Sequence, residues 1–253
     1  MNLKMRLLGA LFLVVATTAL AADLDTVPVK SIAKKKELLF SDDFNSAEHD
    51  KRWHRVVDTF TFENGVLKGT QTREKDMPSP DGKSIITPHP AVYGLELPTK
   101  DSVVECKIRF EGASAIDVEF DDRKFEGSHY GHLCRAIVRL DRVVILDERD
   151  GSQSNALIEL RKDPVANKAE ISKLLAAHTA SFPLPAKLET GKWYDLVVET
   201  VGEEMRVTLD GKPAGYLKSP GIGHVTKSKL EFGVNGKDGW YDDLKVWNAE
   251  PAK

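Results

Sequence analysis

From about residue 37 onward, hydrophobic and polar positions alternate in short runs. Val103 to Phe110 shows it best. Val104, Cys106, Ile108 and Phe110 fall on one phase, and Val103, Glu105, Lys107 and Arg109 on the other. A period of two with one wet side is the pattern of a half-buried strand. Comparable runs cover 38–44, 60–71, 91–97, 115–121, 133–140, 143–147, 193–201, 205–209, 215–217, 229–234 and 240–247. Asn64-Gly65 sits between two such runs, where a tight hairpin needs two residues that tolerate positive φ. Asp210-Gly211 and Asn235-Gly236 mark further turns. About a dozen strands with a turn every eight to twelve residues predict an all-β sandwich or barrel.

One stretch departs from the period of two. Within a long connection, 151–190, Ile171, Leu174, Leu175 and His178 fall on one helical stripe, and Asn167 to Glu170 resembles a capping box. A single short helix of about three turns is predicted there. It either covers apolar surface at an edge of the sandwich or acts as a lid over a site.

The N-terminus changes the picture of compartment. Lys4 and Arg6 precede an apolar run from Leu7 to Val15, followed by Ala19-Leu20-Ala21. That is a secretory signal peptide over residues 1–21, too short in its apolar part to span a bilayer. The protein is therefore expected outside the cytoplasm, periplasmic or extracellular, with no membrane span after cleavage. Residues 22–36 are a lead-in containing the run Lys34-Lys35-Lys36, and residues 37–250 form the β-sandwich domain. Cleavage removes Lys4 and Arg6 and no acid, leaving 34 basic against 39 acidic side chains and a net charge of −5. No basic patch offers a surface for nucleic acid. Cys106 and Cys134 both fall in predicted strands on phases that could face inward. A disulfide and two buried thiols are both compatible with that placement.

The opening Leu39-Phe40-Ser41-Asp42-Asp43-Phe44, Trp53, and Phe62-Glu63-Asn64-Gly65-Val66-Leu67, with the ending Leu230-Glu231-Phe232-Gly233 and Trp240-Tyr241-Asp242-Asp243-Leu244-Lys245-Val246-Trp247, resembles the concanavalin A-like lectin and glucanase superfamily. Within it, the sequence is most similar to the bacterial 3-keto-disaccharide hydrolases, which are related to family-16 glycoside hydrolases. The resemblance covers nearly all of 37–248 and implies a jelly roll of two antiparallel sheets whose first and last strands pair. It implies carbohydrate as the partner and hydrolysis of a glycosidic bond in an oligosaccharide or modified (3-keto) disaccharide. The alternatives on the same fold are a non-catalytic glycan-binding module and a laminin-G-like adhesion module.

Three groups of residues carry candidate chemistry. In Asp117-Val118-Glu119-Phe120-Asp121, followed by Asp122, the acids at 117, 119 and 121 share one strand face opposite Ile116, Val118 and Phe120. Same-face neighbours lie roughly 6.5–7 Å apart, near the spacing of paired glycosidase carboxylates. The family-16 pattern Glu-x-Asp-x-Glu is not met, because position 115 is Ala and the order here is Asp-x-Glu-x-Asp. Without a catalytic role, the three acids would form a solvated strand face. The second group is His129, His132 and Arg135 in the following turn, beside Asp121 and Asp122 if the two strands pair. His and Asp together can exchange protons near neutral pH or bind a divalent metal. The third group is Asp42, Asp43, Asp242 and Asp243, which the resemblance brings together as a structural Ca²⁺ site. Trp53, Trp193, Trp240 and Trp247 are expected in the core or at sheet edges rather than stacked on sugar.

Overall fold

The computed structural model describes residues 22–252 except 47 and 58, so the signal peptide expected over 1–21 lies outside the described residues. Strands β1 (Ala33–Asp42), β2 (Trp53–Arg55), β3 (Phe60–Glu63), β4 (Val66–Gly69), β5 (Met77–Pro78) and β6 (Ile85–Ile86) come first. β7 (Ala91–Leu95), β8 (Ser102–Phe110), β9 (Ala113–Asp121), β10 (His132–Arg139) and β11 (Arg142–Asp147) follow. Two helices, α1 (Asn155–Leu160) and α2 (Lys168–Ala177), precede β12 (Thr179–Pro183), β13 (Trp193–Val201) and β14 (Glu204–Leu209). β15 (Lys212–Lys218), β16 (Lys229–Gly236) and β17 (Gly239–Pro251) complete the chain.

Apart from β5 and β6, which pair with each other, these strands form two large antiparallel sheets, as the jelly-roll resemblance implies. One runs β15-β14-β13-β8-β17, and the far edge of β17 pairs with β4 and then with β1. The other runs β12-β11-β10-β9-β16-β7-β2, with β9 at its centre. The first and last strands pair, Asp42 opposite Leu244. The Asn64-Gly65 hairpin forms between β3 and β4, with both residues at positive φ. Asn235-Gly236 instead carries the chain from one sheet to the other.

The two inner faces supply one apolar core, in which Ile116, Val118 and Phe120 of β9 meet Cys106, Ile108 and Phe110 of β8. Trp53 is part of it and donates its indole N–H to Asp42 at 2.8 Å. Trp193, Trp240 and Trp247 sit partly exposed on the outer face of the other sheet, over Arg109, Arg109 and Lys35 respectively. Cys106 and Cys134 are buried free thiols, one in each sheet.

Three local expectations are corrected. The lead-in is not separate from the sandwich. β1 begins at Ala33, so Lys34-Lys35-Lys36 belongs to a strand, and Arg206 donates to the carbonyls of Pro28 and Val29 at 2.6 and 3.0 Å. Val103, on the polar phase of β8, is buried against Ala33 and Val201 because that lead-in crosses the outer face. The helix forms as predicted at 168–177, but Asn167 does not cap it. Its amide donates to Leu160 O at the end of the unpredicted helix α1, 2.9 Å away. Among the described residues, no helix is long and apolar enough to cross a membrane.

Candidate functional site: a polar layer on the central strand

Strand β9 has two faces, as the alternation predicts, yet neither is wet. Asp117, Glu119 and Asp121 are 1%, 2% and 0% exposed, so the solvated acidic face expected from the sequence does not exist. They form the middle of a polar layer that crosses the outer face of the seven-stranded sheet. Register places Arg135, Glu119, Glu231, Gly94 and His54 in one row across five strands. The next row is His132, Asp121 and Lys229. A third holds Ile137, Asp117 and Gly233.

Local backbone features make these rows possible. His132 and Arg135 are three apart, and a regular strand would send them to opposite faces. A bulge between His132 and Cys134 turns both outward while Leu133 and Cys134 enter the core. The turn before them reverses at Tyr130 and Gly131, both at positive φ. A Cβ on Gly131 would stand 2.0 Å from the Asp122 carbonyl oxygen, so only glycine closes this turn. Gly233 plays the second steric role. A Cβ there would meet the Asp117 carboxylate at 2.4 Å, and its absence lets that carboxylate lie across β16. From beneath, the Tyr241 hydroxyl reaches the carbonyls of Asp117 and Gly233 at 2.8 and 2.6 Å and fixes this register.

The charges are tightly interlocked. Arg135 Nη2 is 2.5 Å from Glu119 Oε2, its Nε 3.3 Å from Glu148 Oε2, and its Nη1 4.0 Å from Asp117 Oδ1. His132 Nδ1 is 2.6 Å from Glu119 Oε1 and 3.0 Å from Asp121 Oδ1. Lys229 Nζ lies 3.0 Å from Asp121 Oδ2 and also contacts Glu231. The oxygens of Glu119 and Asp121 and the imidazole nitrogen of His132 all fall within 4.8 Å of one another, the one such His, Cys, Asp or Glu group among the described residues.

Environment separates the carboxyls. Burial pushes Asp117 up to about 6 against the pull of Arg135, and burial with the neighbouring Glu119 charge pushes Asp121 to about 6. Burial would also raise Glu119, but Arg135 and His132 outweigh it and hold that carboxyl below its ordinary range. Glu148, buried with a weaker hold on Arg135, is raised well above its range. Burial opposes the charged form of His132, yet its bonds to Asp121 and Glu119 lift it to about 11.

Two other candidates stand outside this layer. Asp122 follows Asp121 and turns away, accepting from Lys124 N–H at 3.1 Å and lying 3.3 Å from His224 Nε2. His129 is exposed on the turn, its ring 5.9 Å from that of His132, and burial on its inner side lowers its pKa. Conversely, Glu148, Lys229 and Glu231 belong to the layer and were not singled out from the sequence. Lys229 and Glu231 could have been, because they alternate with Leu230, Phe232 and Val234, all buried.

The long connection walls one side of the layer. His129 N–H donates to Gln153 O at 2.8 Å, and Asn155 donates to the carbonyls of Gly127 and Glu126 at 3.0 and 2.7 Å. Asp147, fully buried at the end of β11, anchors this wall. It accepts from Ser219 Oγ, Gly221 N–H and Asp150 N–H at 2.5, 3.0 and 3.0 Å, with His178 Nδ1 at 3.1 Å. The connection is thus pinned in place, with its own Leu157 and Ile171 buried beneath it.

The four aspartates proposed for calcium do converge on one end of the sandwich, where Asp42, Asp43 and Asp243 line a cleft of about 570 Å³. Both oxygens of Asp42 and one oxygen of each of the others already have a partner. Asp42 accepts from Phe44 N–H and Trp53 Nε1, Asp43 from Asn45 N–H, and Asp242 from Asp243 N–H, while Asp243 pairs with Lys107. No three of the four bring carboxylate oxygens within 4.8 Å of one another, so the carboxylates alone do not form a calcium cage.

No family model matches the sequence, and no curated protein matches it. Solved structures do share the fold. The endo-β-1,3-glucanase of Pyrococcus furiosus superposes at TM-score 0.55, 9% identical over 88% of this chain and 100% of that one. SCLam, a non-specific endo-β-1,3(4)-glucanase of family GH16, gives 0.54 at 10% identity, covering 88% and 97%. Porphyranase B of Zobellia galactanivorans gives 0.53 at 10% identity, covering 83% and 90%. At these identities the likeness is one of fold alone, a jelly-roll sandwich of two antiparallel sheets.

Proposed function

We propose that this chain is an exported carbohydrate-active protein that cleaves a glycosidic bond, in an oligosaccharide or a modified disaccharide, at the outer face of β9. One observation carries the reading. In a fold used by glucanases and a porphyranase, the central strand holds two carboxyl groups, Glu119 and Asp121, with oxygens inside 4.8 Å. Retaining glycosidases hold their carboxyl pair at about 5–5.5 Å, close enough for one to meet the sugar carbon while the other moves a proton at the leaving oxygen. Arg135 and His132 fix the orientation of both groups. The reading of export rests on the leader at 1–21.

A second reading has its own support. Carboxylates exposed by 2% or less are out of reach of a sugar ring until a neighbour moves. A non-catalytic glycan-binding module has no need to reach them. The discriminating experiment incubates the purified protein with an oligosaccharide panel that includes 3-keto-disaccharides and analyses products. Product that disappears in Glu119→Gln and Asp121→Asn, both still folded by circular dichroism, supports cleavage. Glycan-dependent thermal stabilisation without product refutes cleavage and leaves the binding module.

A further inference from the structure

We propose that Glu119, Asp121 and His132 form a binding site for one divalent transition-type cation, Zn²⁺ or Mn²⁺. The inference takes from the preceding reading only the location of the site. Three observations support it independently of any reaction.

The first is ligand spacing. His132 Nδ1 stands 2.6 Å from Glu119 Oε1 and 3.0 Å from Asp121 Oδ1, and all three ligand atoms fall within 4.8 Å. Ligands about 2.0–2.2 Å from a tetrahedral ion lie about 3.4 Å from one another. Side-chain shifts of less than about 1 Å would admit the ion.

The second is unspent acceptor capacity. Asp117 Oδ2 is buried with no partner, and the contacts of Glu119 Oε1 and Asp121 Oδ2 are ion pairs with His132 and Lys229. Buried oxygens normally have a hydrogen-bond partner.

The third is composition. The layer buries five carboxyl groups, Asp117, Glu119, Asp121, Glu148 and Glu231, against three cations, Arg135, Lys229 and protonated His132. A dication that displaces the Nδ1 proton of His132 to solvent adds one net positive charge to the layer with no further side chain. The donor set also selects among ions. Two carboxylates with an imidazole suit zinc or manganese, whereas Ca²⁺ asks for six to eight oxygens. Arg135 and Lys229 oppose the ion, so binding is weaker than at a closed structural site.

The test uses chelator-treated full-length mature protein and the metal salts alone, with no sugar present. Isothermal titration with ZnCl₂ and MnCl₂ should show one ion per chain, and CaCl₂ should show none at equal concentration. His132→Gln and Asp121→Asn should each weaken binding by at least the roughly 10–100-fold that follows loss of even an outer-shell partner. Lys229→Gln, which removes a cation 3.0 Å from Asp121, should tighten it at least about tenfold. That gain cannot come from misfolding. Pulsed EPR of the Mn²⁺ form should show one coordinated nitrogen, and His132→Gln should abolish the signal. Binding that persists in His132→Gln places the ion elsewhere, for instance on exposed His129, and overturns the proposal. So does an absence of stoichiometric binding to the unaltered protein. Neither result touches the product assay, so this inference and the cleavage reading fail separately.

Discussion

Arg135 is where the polar layer is most open to test. Its guanidinium faces Glu119, Glu148 and Asp117 at once, and its side chain is only 15% exposed. Arg135→Met keeps an unbranched stem for packing and removes the charge, leaving three carboxyl groups facing one another in a dry layer. Stranding a buried charge by removing its partner costs about 3–5 kcal/mol. Against a total stability of about 5–15 kcal/mol, that is about a fifth or more of the whole. For a domain of this size it corresponds to a fall in Tm of about 6–20 °C. Urea unfolding of the chelated protein measures it, with an unchanged slope confirming that stability alone has moved. The loss has a pH signature. Without Arg135, Asp117 and Glu148 rise further and Glu119 loses part of what holds it down, so the folded variant takes up protons below neutrality and the deficit shrinks between pH 8 and pH 5. A loss below about 1 kcal/mol, or one equal at both pH values, would show that Arg135 acts through packing, and the electrostatic account of the layer would fall.

Three further outcomes are expected. Asp117 has a folded pKa of about 6, above its ordinary value of 3.8, so it destabilises the fold progressively as pH rises from about 4 through 6. Asp117→Asn should therefore gain up to about 3 kcal/mol at pH 8 and little at pH 4, and pH–stability curves parallel to the unaltered protein would contradict this. Gly233→Ala puts a methyl 2.4 Å from the Asp117 carboxylate and should cost about 1–3 kcal/mol. Most of that should return in Gly233→Ala with Asp117→Ala, and additive losses in the double-mutant cycle would refute the contact. Arg206→Ala should release residues 28–33 to rapid hydrogen exchange while β9 and β16 stay protected, because Arg206 and buried Glu199 hold that segment. Unchanged exchange there would mean that the strand pairing of β1 suffices.

Much of the fold was legible because it depends on local pattern. The alternation of Val104, Cys106, Ile108 and Phe110 marks the core face of β8, and Asn64-Gly65 its own hairpin. The resemblance supplied the pairing of β1 with β17. The site was half legible. The common face of Asp117, Glu119 and Asp121 followed from their spacing, and so did the pairing that sets His132 opposite Asp121. Whether that face is wet did not follow, since a period of two separates faces without saying what covers each. The covering groups come from far along the chain. Glu148 arrives from the turn after β11, and Lys229 and Glu231 from a strand more than a hundred residues away. The bulge that aligns His132 with Arg135 left no mark in the spacing either, and regular alternation would have kept them on opposite faces.

The composition of the layer argues that it serves something other than stability. Replacing a buried ion pair with well-packed apolar residues is often neutral or stabilising. Here β9 already has one apolar face in the sandwich core, and a second would be as easy to build from Val, Ile and Leu. Instead the outer face buries more carboxyl groups than cations and leaves Asp117 Oδ2 without a donor, its carboxylate accommodated only because position 233 is glycine. Local rules broken together on one strand, in a fold otherwise consistent with its sequence, are the mark of a functional site. Arg135 and Lys229 keep the layer folded, and the surplus negative charge remains available to a proton, a cation or a sugar. The outer face of β9 is therefore where the proposed cleavage and cation binding are to be tested first.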